Sequence, residues 1–337
     1  MLTNPKTLMF LTTLVTGSLI SVSSASWYGA WMGLEINLLS FIPLTSKTNN
    51  QRMTESALKY FLVQALASMI LLTAIVMLSF HDQIMMDLSA PTMITSLALK
   101  LGASPLHFWM PEVMEGMTWM NCLLLMSWQK LAPLTLMSYT TSLPNLIILL
   151  TISSVVVGAV GGLNQTSIRK IMAFSSIAHT GWFLGAMLCD DTTWFLYFII
   201  YSLLISAATL LFITNKVYYL SQTFNNKMNP MTKLTTFTSM LSLAGMPPFL
   251  GFLPKWIVIL KMTEAMYILP ILIMIIMTLI TLYYYMRIAY SAFMLNHTMQ
   301  SWSKTTPTHQ QETLSLLAIS ISLLGLVLAP MLINLNI

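Results

Sequence analysis

Four ionisable side chains stand where such groups are costly. Glu35, Lys100, Lys130 and Lys255 each fall deep inside a long apolar stretch of the chain. A charge at mid-membrane costs roughly 2.5–3.5 kcal/mol on insertion scales, and residues kept at that cost usually face a polar interior on an ion or proton path. The chemistry open to this set is proton transfer. Free lysine titrates near 10.4 and free glutamate near 4.3, and burial moves the two types toward each other and toward neutrality. A Glu–Lys pair then has two states, one paired and charged, the other parted with the proton moved on. All three central cations are lysines, whereas an arginine would effectively never release its proton.

Each residue also has a plainer reading. Glu35 could be the static partner of one lysine. Lys130, which follows Trp128 and Gln129, could reach a carbonyl at a helix break. Lys255 lies six residues before Lys261 and could snorkel to the interface. Three further groups are weaker candidates. Lys59 opens its helix and reads equally well as an interfacial anchor. His179 sits inside a helix, where a lone histidine is commonly just hydrogen-bonded. Glu112 could line the path or sit at the surface.

The elements that must position these residues are membrane helices. Of 337 residues, 56% are hydrophobic and only 7% charged, against about 25% charged in a soluble domain, so lipid must cover most of the outside. A span needs about 20 apolar residues, and eleven stretches qualify: 8–24, 27–44, 57–80, 91–117, 119–140, 145–162, 171–188, 193–214, 235–261, 265–293 and 314–335. The first reads as a retained helix and not a signal peptide, because no A-x-A-type cleavage site follows it. The runs are continuous, not alternating, which excludes a β-barrel.

Alternating the loops between the two sides tests this count. One side, side A, receives Lys6, Lys47, Arg52, Lys59, Arg169, Lys170, Lys216, Lys227, Lys233 and Lys304; side B receives Lys261 alone, with Asp82, Asp87, Asp190, Asp191 and Glu264. Ten cations against one mark side A as the retained, matrix or cytoplasmic face. The fourth and ninth stretches carry Gly102 with Pro105 and Pro111, and Gly245 with Pro248 and Pro254, at a constant offset (245 − 102 = 143). Each interrupted helix is the fourth of a group of five, and groups of five must run through the membrane in opposite senses. The expected fold is all-α and membrane-integral, with two inverted five-helix repeats, each holding a broken fourth helix, followed by a C-terminal helix. The expected boundaries are 1–142 and 143–295 for the repeats and 296–337 for a side-A loop and last helix. The same offset puts Glu112 opposite Lys255 and sets His179 beside the counterpart of Glu35.

Several function classes are excluded. No GxGxxG or GxxxxGK[ST] stretch occurs to cradle a dinucleotide or phosphate. The two cysteines, Cys122 and Cys189, form neither a CxxC nor a Cys/His group, which argues against metal, iron–sulfur and disulfide frameworks.

Seven stretches together carry a resemblance: Gly29–Asn37 (GAWMGLEIN), Leu58–Leu62 (LKYFL), Lys100–Glu112 (KLGASPLHFWMPE), Ser127–Pro133 (SWQKLAP), Gly161–Lys170 (GGLNQTSIRK), Ala173–His179 (AFSSIAH) and Gly245–Trp256 (GMPPFLGFLPKW). They resemble the antiporter-like membrane subunits of respiratory complex I, in the shortened mitochondrial form of animals. The resemblance spans about positions 27 to 260. It implies a proton-translocating role in which Glu35 matches the family's membrane glutamate, Lys100 and Lys130 its central lysines, and Lys255 the lysine of the second broken helix. Lys59 matches a further family lysine. It also implies that NADH, flavin, iron–sulfur clusters and ubiquinone belong to other subunits, so that this chain binds no cofactor and works only with its membrane-arm partners and lipid, without nucleic acid. The 29 methionines fit a mitochondrial gene, and the expected location is the inner membrane, N-terminus in the matrix and C-terminus in the intermembrane space. The competing readings are a cation/proton antiporter of the related multi-subunit kind and a structural spacer with vestigial charges.

Overall fold

A computed structural model of the chain describes residues 5–46, 50–80, 83–225 and 230–290, together with Thr313 and Ser320 singly. The expected C-terminal helix at 314–335 and the loop cations Lys47, Lys227 and Lys304 lie outside the described residues. All the elements found among those described are helices: α1 (Pro5–Ser23), α2 (Trp27–Thr45), α3 (Gln51–Ser79), α4 (Gln83–Leu101), α5 (Trp109–Gly116), α6 (Trp119–Met126), α7 (Trp128–Ser138), α8 (Pro144–Gly162), α9 (Ile168–Met187), α10 (Asp191–Asn215), α11 (Leu220–Asn225), α12 (Pro230–Ala244), α13 (Phe252–Glu264) and α14 (Ile268–Tyr290). Five of these, α1, α3, α8, α10 and α14, are individually long and apolar enough to cross a membrane. Interruptions elsewhere divide apolar runs into shorter helices.

The chain forms two compact units, Met1–Ser154 and Val155–Ile337. Within the first, α3 illustrates the membrane logic. Leu58, Leu62, Leu66 and Met69 form one exposed stripe, while Tyr60, Gln64, Ala67 and Leu71 are buried on the opposite face. Polar groups turn inward and leucines outward, as a helix in hydrocarbon requires. The α1–α2 pair packs with its backbones nearly touching: a Cβ added at Gly33 would lie 2.5 Å from the Ser21 amide nitrogen, the close approach that small residues permit. In the second unit α9 is buried along almost its whole length. There α13 packs against α9, α10 and α14, and α12 against α10 and α14.

The two broken helices end alike. α4 stops at Leu101 and the chain resumes helix at Trp109; α12 stops at Ala244 and resumes at Phe252. The first residue of each interruption is a glycine with positive φ, Gly102 at +70° and Gly245 at +83°. In the first unit Gly102 N–H donates to Leu99 O (3.2 Å) and Ala103 N–H to Ala98 O (2.9 Å). In the second, Gly245 N–H donates to Ser242 O (3.1 Å) and Met246 N–H to Leu241 O (3.4 Å). Both are Schellman ends, which need a left-handed residue after the last helical turn and satisfy two of the four terminal carbonyls.

Three boundaries differ from expectation. α3 begins at Gln51 instead of 57, and α4 begins at Gln83 instead of 91, with Pro91 inside it; polar residues extend these helices beyond their apolar windows. The run 119–140 is not one helix. It breaks at Ser127 (φ −108°, ψ −78°), whose hydroxyl donates to Leu123 O (2.7 Å), the back-bonding that bends helices. Pro133 further along removes another backbone donor. Lys130 is therefore in the first turn of a half-helix and not at the centre of a continuous one.

Candidate functional site

In the first unit Lys100 and Lys130 line the same cavity. Lys100 lies in the last turn of α4 and is 8% exposed; Lys130, on α7, is 2% exposed. Both line a cavity of about 20 Å³ together with Asn37, Tyr60, Gln64 and Gln129. One water needs about 10–15 Å³ measured this way, so there is room for one. The walls are joined by hydrogen bonds: Gln129 Nε2 donates to Asn37 Oδ1 (2.8 Å), and the Tyr60 hydroxyl donates to Gln129 Oε1 (3.5 Å). Gln64 Nε2 donates to the backbone oxygen of Lys100 (3.5 Å), and Trp109 Nε1 to that of Leu99 (3.1 Å). These two side chains meet carbonyls at the end of α4. Trp128 Nε1 donates to Ser18 Oγ (3.0 Å), fixing the start of α7 against α1.

Glu35 stands apart from this cavity. It is half-buried on α2, and its charge reaches Lys100 through space without a direct ion pair. Lys59 and Glu112 are brought together elsewhere: Lys59 Nζ to Glu112 Oε2 is 2.5 Å, and both side chains are more than half exposed. This pair ties α3 to α5 at the surface of the unit and does not line the cavity.

In the second unit Lys255 is 6% exposed. Its Nζ donates to Ala244 O (2.7 Å), the last carbonyl of α12, so the amine caps the C-terminal, electronegative end of the broken helix. The Trp182 ring lies 5.9 Å from Nζ. Lys255 and His179 line a second cavity of about 10 Å³ with Ser175, Thr281, Tyr284 and Tyr285, a space just sufficient for one water. His179 Nδ1 is 2.9 Å from the Tyr197 hydroxyl. Lys255 therefore does not snorkel. The position 143 earlier carries Glu112, whose side chain is more than half exposed, so the two positions differ in both charge and surroundings.

Cys189 lies in the loop between α9 and α10, half-buried. Partial burial, with the Asp190 and Glu264 carboxylates nearby, pushes its thiol up to about 11, and Lys261 opposes this. Lys261 itself pairs with Asp190 (3.7 Å) and Glu264 (3.5 Å). Among the described residues, no group of three His, Cys, Asp or Glu side chains is arranged to hold a metal.

Sequence reasoning passed over Asn37, Gln64, Gln129, Tyr60, Tyr197 and the Tyr284–Tyr285 pair. Gln64 and Asn37 carry a usable signal, since an amide inside a membrane helix needs an internal partner. The tyrosines carry little, because Tyr also populates membrane interfaces.

Residues 24–281 match the family model described as NADH:quinone oxidoreductase/Mrp antiporter, TM, and residues 282–333 match that for NADH dehydrogenase subunit 2 C-terminus. A protein of Anopheles gambiae named NADH-ubiquinone oxidoreductase chain 2 is 49% identical over 330 residues, 96% of each chain. The chain belongs to the NADH-ubiquinone oxidoreductase chain 2 family. The family protein of Locusta migratoria is 44% identical over 306 residues, 90% of each chain. Among solved structures, respiratory complex I from Thermus thermophilus contains a chain of the same fold, with a TM-score of 0.82 at 22% identity, covering 97% of this chain and 80% of that one. The Mrp complex from Dietzia sp. contains another, with a TM-score of 0.77 at 17% identity, over 88% and 62% of the two chains.

Proposed function

We propose that this chain is a core membrane-arm subunit of the proton-pumping NADH:ubiquinone oxidoreductase, working with other membrane-arm subunits and binding no redox centre itself. It carries a proton relay of Glu35, Lys100, Lys130 and Lys255, with His179 as a neighbour of Lys255. The observation that carries this reading is the meeting of two deeply buried lysines, Lys100 and Lys130, on one polar cavity with room for a water. Amines sharing a water can exchange a proton without crossing hydrocarbon. Glu35, near Lys100 but not bonded to it, biases the charge state of that lysine. Lys255 passes a proton on toward side B. Lys59 and Glu112 form an outer ion pair, and their part in the relay is electrostatic.

The full layout follows from the same reading: eleven spans, as repeats 1–142 and 143–295 and a last helix within 296–337. The paired Schellman ends at Gly102 and Gly245, at equal offset, support the inverted repeat. The membrane is the mitochondrial inner membrane, with the N-terminus in the matrix and the C-terminus in the intermembrane space, as the distribution of cations supports.

The second reading, a multi-subunit cation/proton antiporter, draws on the breadth of the first family model, which covers both groups. Native electrophoresis with an in-gel NADH-oxidation stain separates them: the chain co-migrates with a very large NADH-oxidising assembly, and absence from that band refutes the first reading. Within the assembly, Lys130→Met abolishes most NADH-driven pumping per assembled complex. Full pumping by that variant removes Lys130 from the relay.

A further inference from the structure

A wide cavity of the second unit has no part in the relay described above. It measures about 330 Å³ and is lined by Gly162 at the end of α8, by the α8–α9 loop (Asn164, Gln165, Thr166), by Leu220, and by Tyr284 and Arg287 of α14. That is space for on the order of ten waters or more. Asn164, Thr166 and Arg287 are exposed at its mouth. The loop is braced, since Ile168 N–H donates to Tyr218 O and Leu220 N–H to Thr166 O, both at 3.0 Å. This loop is also one of the cationic ones, carrying Arg169 and Lys170 just beyond, so the vestibule belongs to side A.

One side chain is common to this vestibule and to the Lys255–His179 cavity: Tyr284. It is 2% exposed, and its ring fills the space left by Gly162, where an added Cβ would come within 2.9 Å of it. Its hydroxyl is buried, with the Tyr285 hydroxyl as its side-chain neighbour and the two ring centroids 4.5 Å apart. A phenol hydroxyl between the wide vestibule and the one-water cavity is placed to bond water on either side.

We propose that the vestibule is the proton-uptake route from side A to the Lys255–His179 cavity, and that Tyr284 is its valve. The inference rests on the relay reading of Lys255. In the step, a vestibule water that has taken a proton from the side-A medium passes it to the Tyr284 oxygen and is neutral water again, while the phenol O–H bond breaks and its proton goes to a water or His179 on the cavity side. The phenol is neutral before and after, and rotation of its hydroxyl resets it. The ring meanwhile blocks free passage of water. Arg287 does not release its proton; it supplies fixed donors that order water at the mouth.

The test uses inside-out inner-membrane particles, which present the matrix face to the medium, and reads the initial rate of NADH-driven pumping per assembled complex. Tyr284→Phe keeps the plug but removes the hop, and the rate falls about tenfold or more, a modest loss for a positioned proton-transfer group. In Gln165→Cys, a membrane-impermeant, charged methanethiosulfonate added to the medium blocks pumping, and dithiothreitol restores it. Either rate remaining at the wild-type value overturns the route. If Tyr284→Phe does not assemble, the cysteine adduct, formed after assembly, decides alone. Lys255→Met, run in parallel, separates the two claims: full pumping there refutes the parent relay, whereas loss there with full pumping in Tyr284→Phe refutes only the uptake route.

Discussion

Gly245 and Gly102 occupy matching positions, yet replacing each by alanine has different consequences. Both have left-handed φ, so either alanine costs about 1–2 kcal/mol, a factor of roughly 5–30 in a local equilibrium. At Gly245 the new Cβ would lie 2.9 Å from Lys255 Nζ, 3.0 Å from its Cδ and 3.1 Å from its Cε. Ordinary contacts begin near 3.5 Å, so the amine must retreat by about 0.5 Å. Its hydrogen bond to Ala244 O, now 2.7 Å, then approaches about 3.2 Å, the outer edge of a good bond. At Gly102 the Cβ meets Met110 Sδ at 3.2 Å and Trp109 Cζ2 at 3.3 Å. The methionine yields, and no ionisable side chain moves. Both variants should accumulate less assembled complex. Normalised to assembled complex, pumping falls severalfold in Gly245→Ala and stays near wild type in Gly102→Ala. Equal normalised pumping in the two variants would refute the assignment of Lys255 to the break.

Two other outcomes follow from groups near the surface. Cys189, with its thiol at about 11, holds its proton through ordinary pH. Because the folded value is raised, its contribution to stability is complete below the unfolded value near 9 and is lost as pH rises through about 11. Alkylation by iodoacetamide at pH 8 should therefore run about a hundredfold slower than for a free thiol, because its thiolate fraction at that pH is about a hundredth of that of a thiol titrating near 9; a free-thiol rate contradicts the burial described. The Lys59–Glu112 pair is exposed, so Lys59→Met alone costs no more than about 1 kcal/mol. Lys59→Glu lowers assembly further by setting two carboxylates together, and adding Glu112→Lys restores it. A double variant no better than the single one would show that the pair does not hold α3 to α5.

What the sequence makes legible here is set by cost. Charges in hydrocarbon are rare enough that Lys100, Lys130 and Lys255 stand out, and all three are buried. Glycine and proline mark the ends of α4 and α12 because their backbone effects are local. The break at Ser127 is less visible, because a serine within a helix bends it only when its hydroxyl turns back to the preceding carbonyl. Asn37 and Gln129, 92 positions apart, are joined by a bond that no local pattern encodes. Tyr284 is harder still. Its importance lies in standing between two cavities, and cavities are properties of packing. Glu35 shows the limit of charge pairing as a guide: it does not say whether a carboxylate touches its lysine, and here Glu35 is not among the residues that line the lysine cavity.

The central claim is that Lys130 moves a proton and does not merely carry a charge. Lys130→Arg retains the cation but removes the ability to release it at any working pH. In assembled complex reconstituted into proteoliposomes, NADH-driven pumping should fall at least about tenfold, with the chain still incorporated. Pumping at the wild-type rate with arginine at this position would contradict the account.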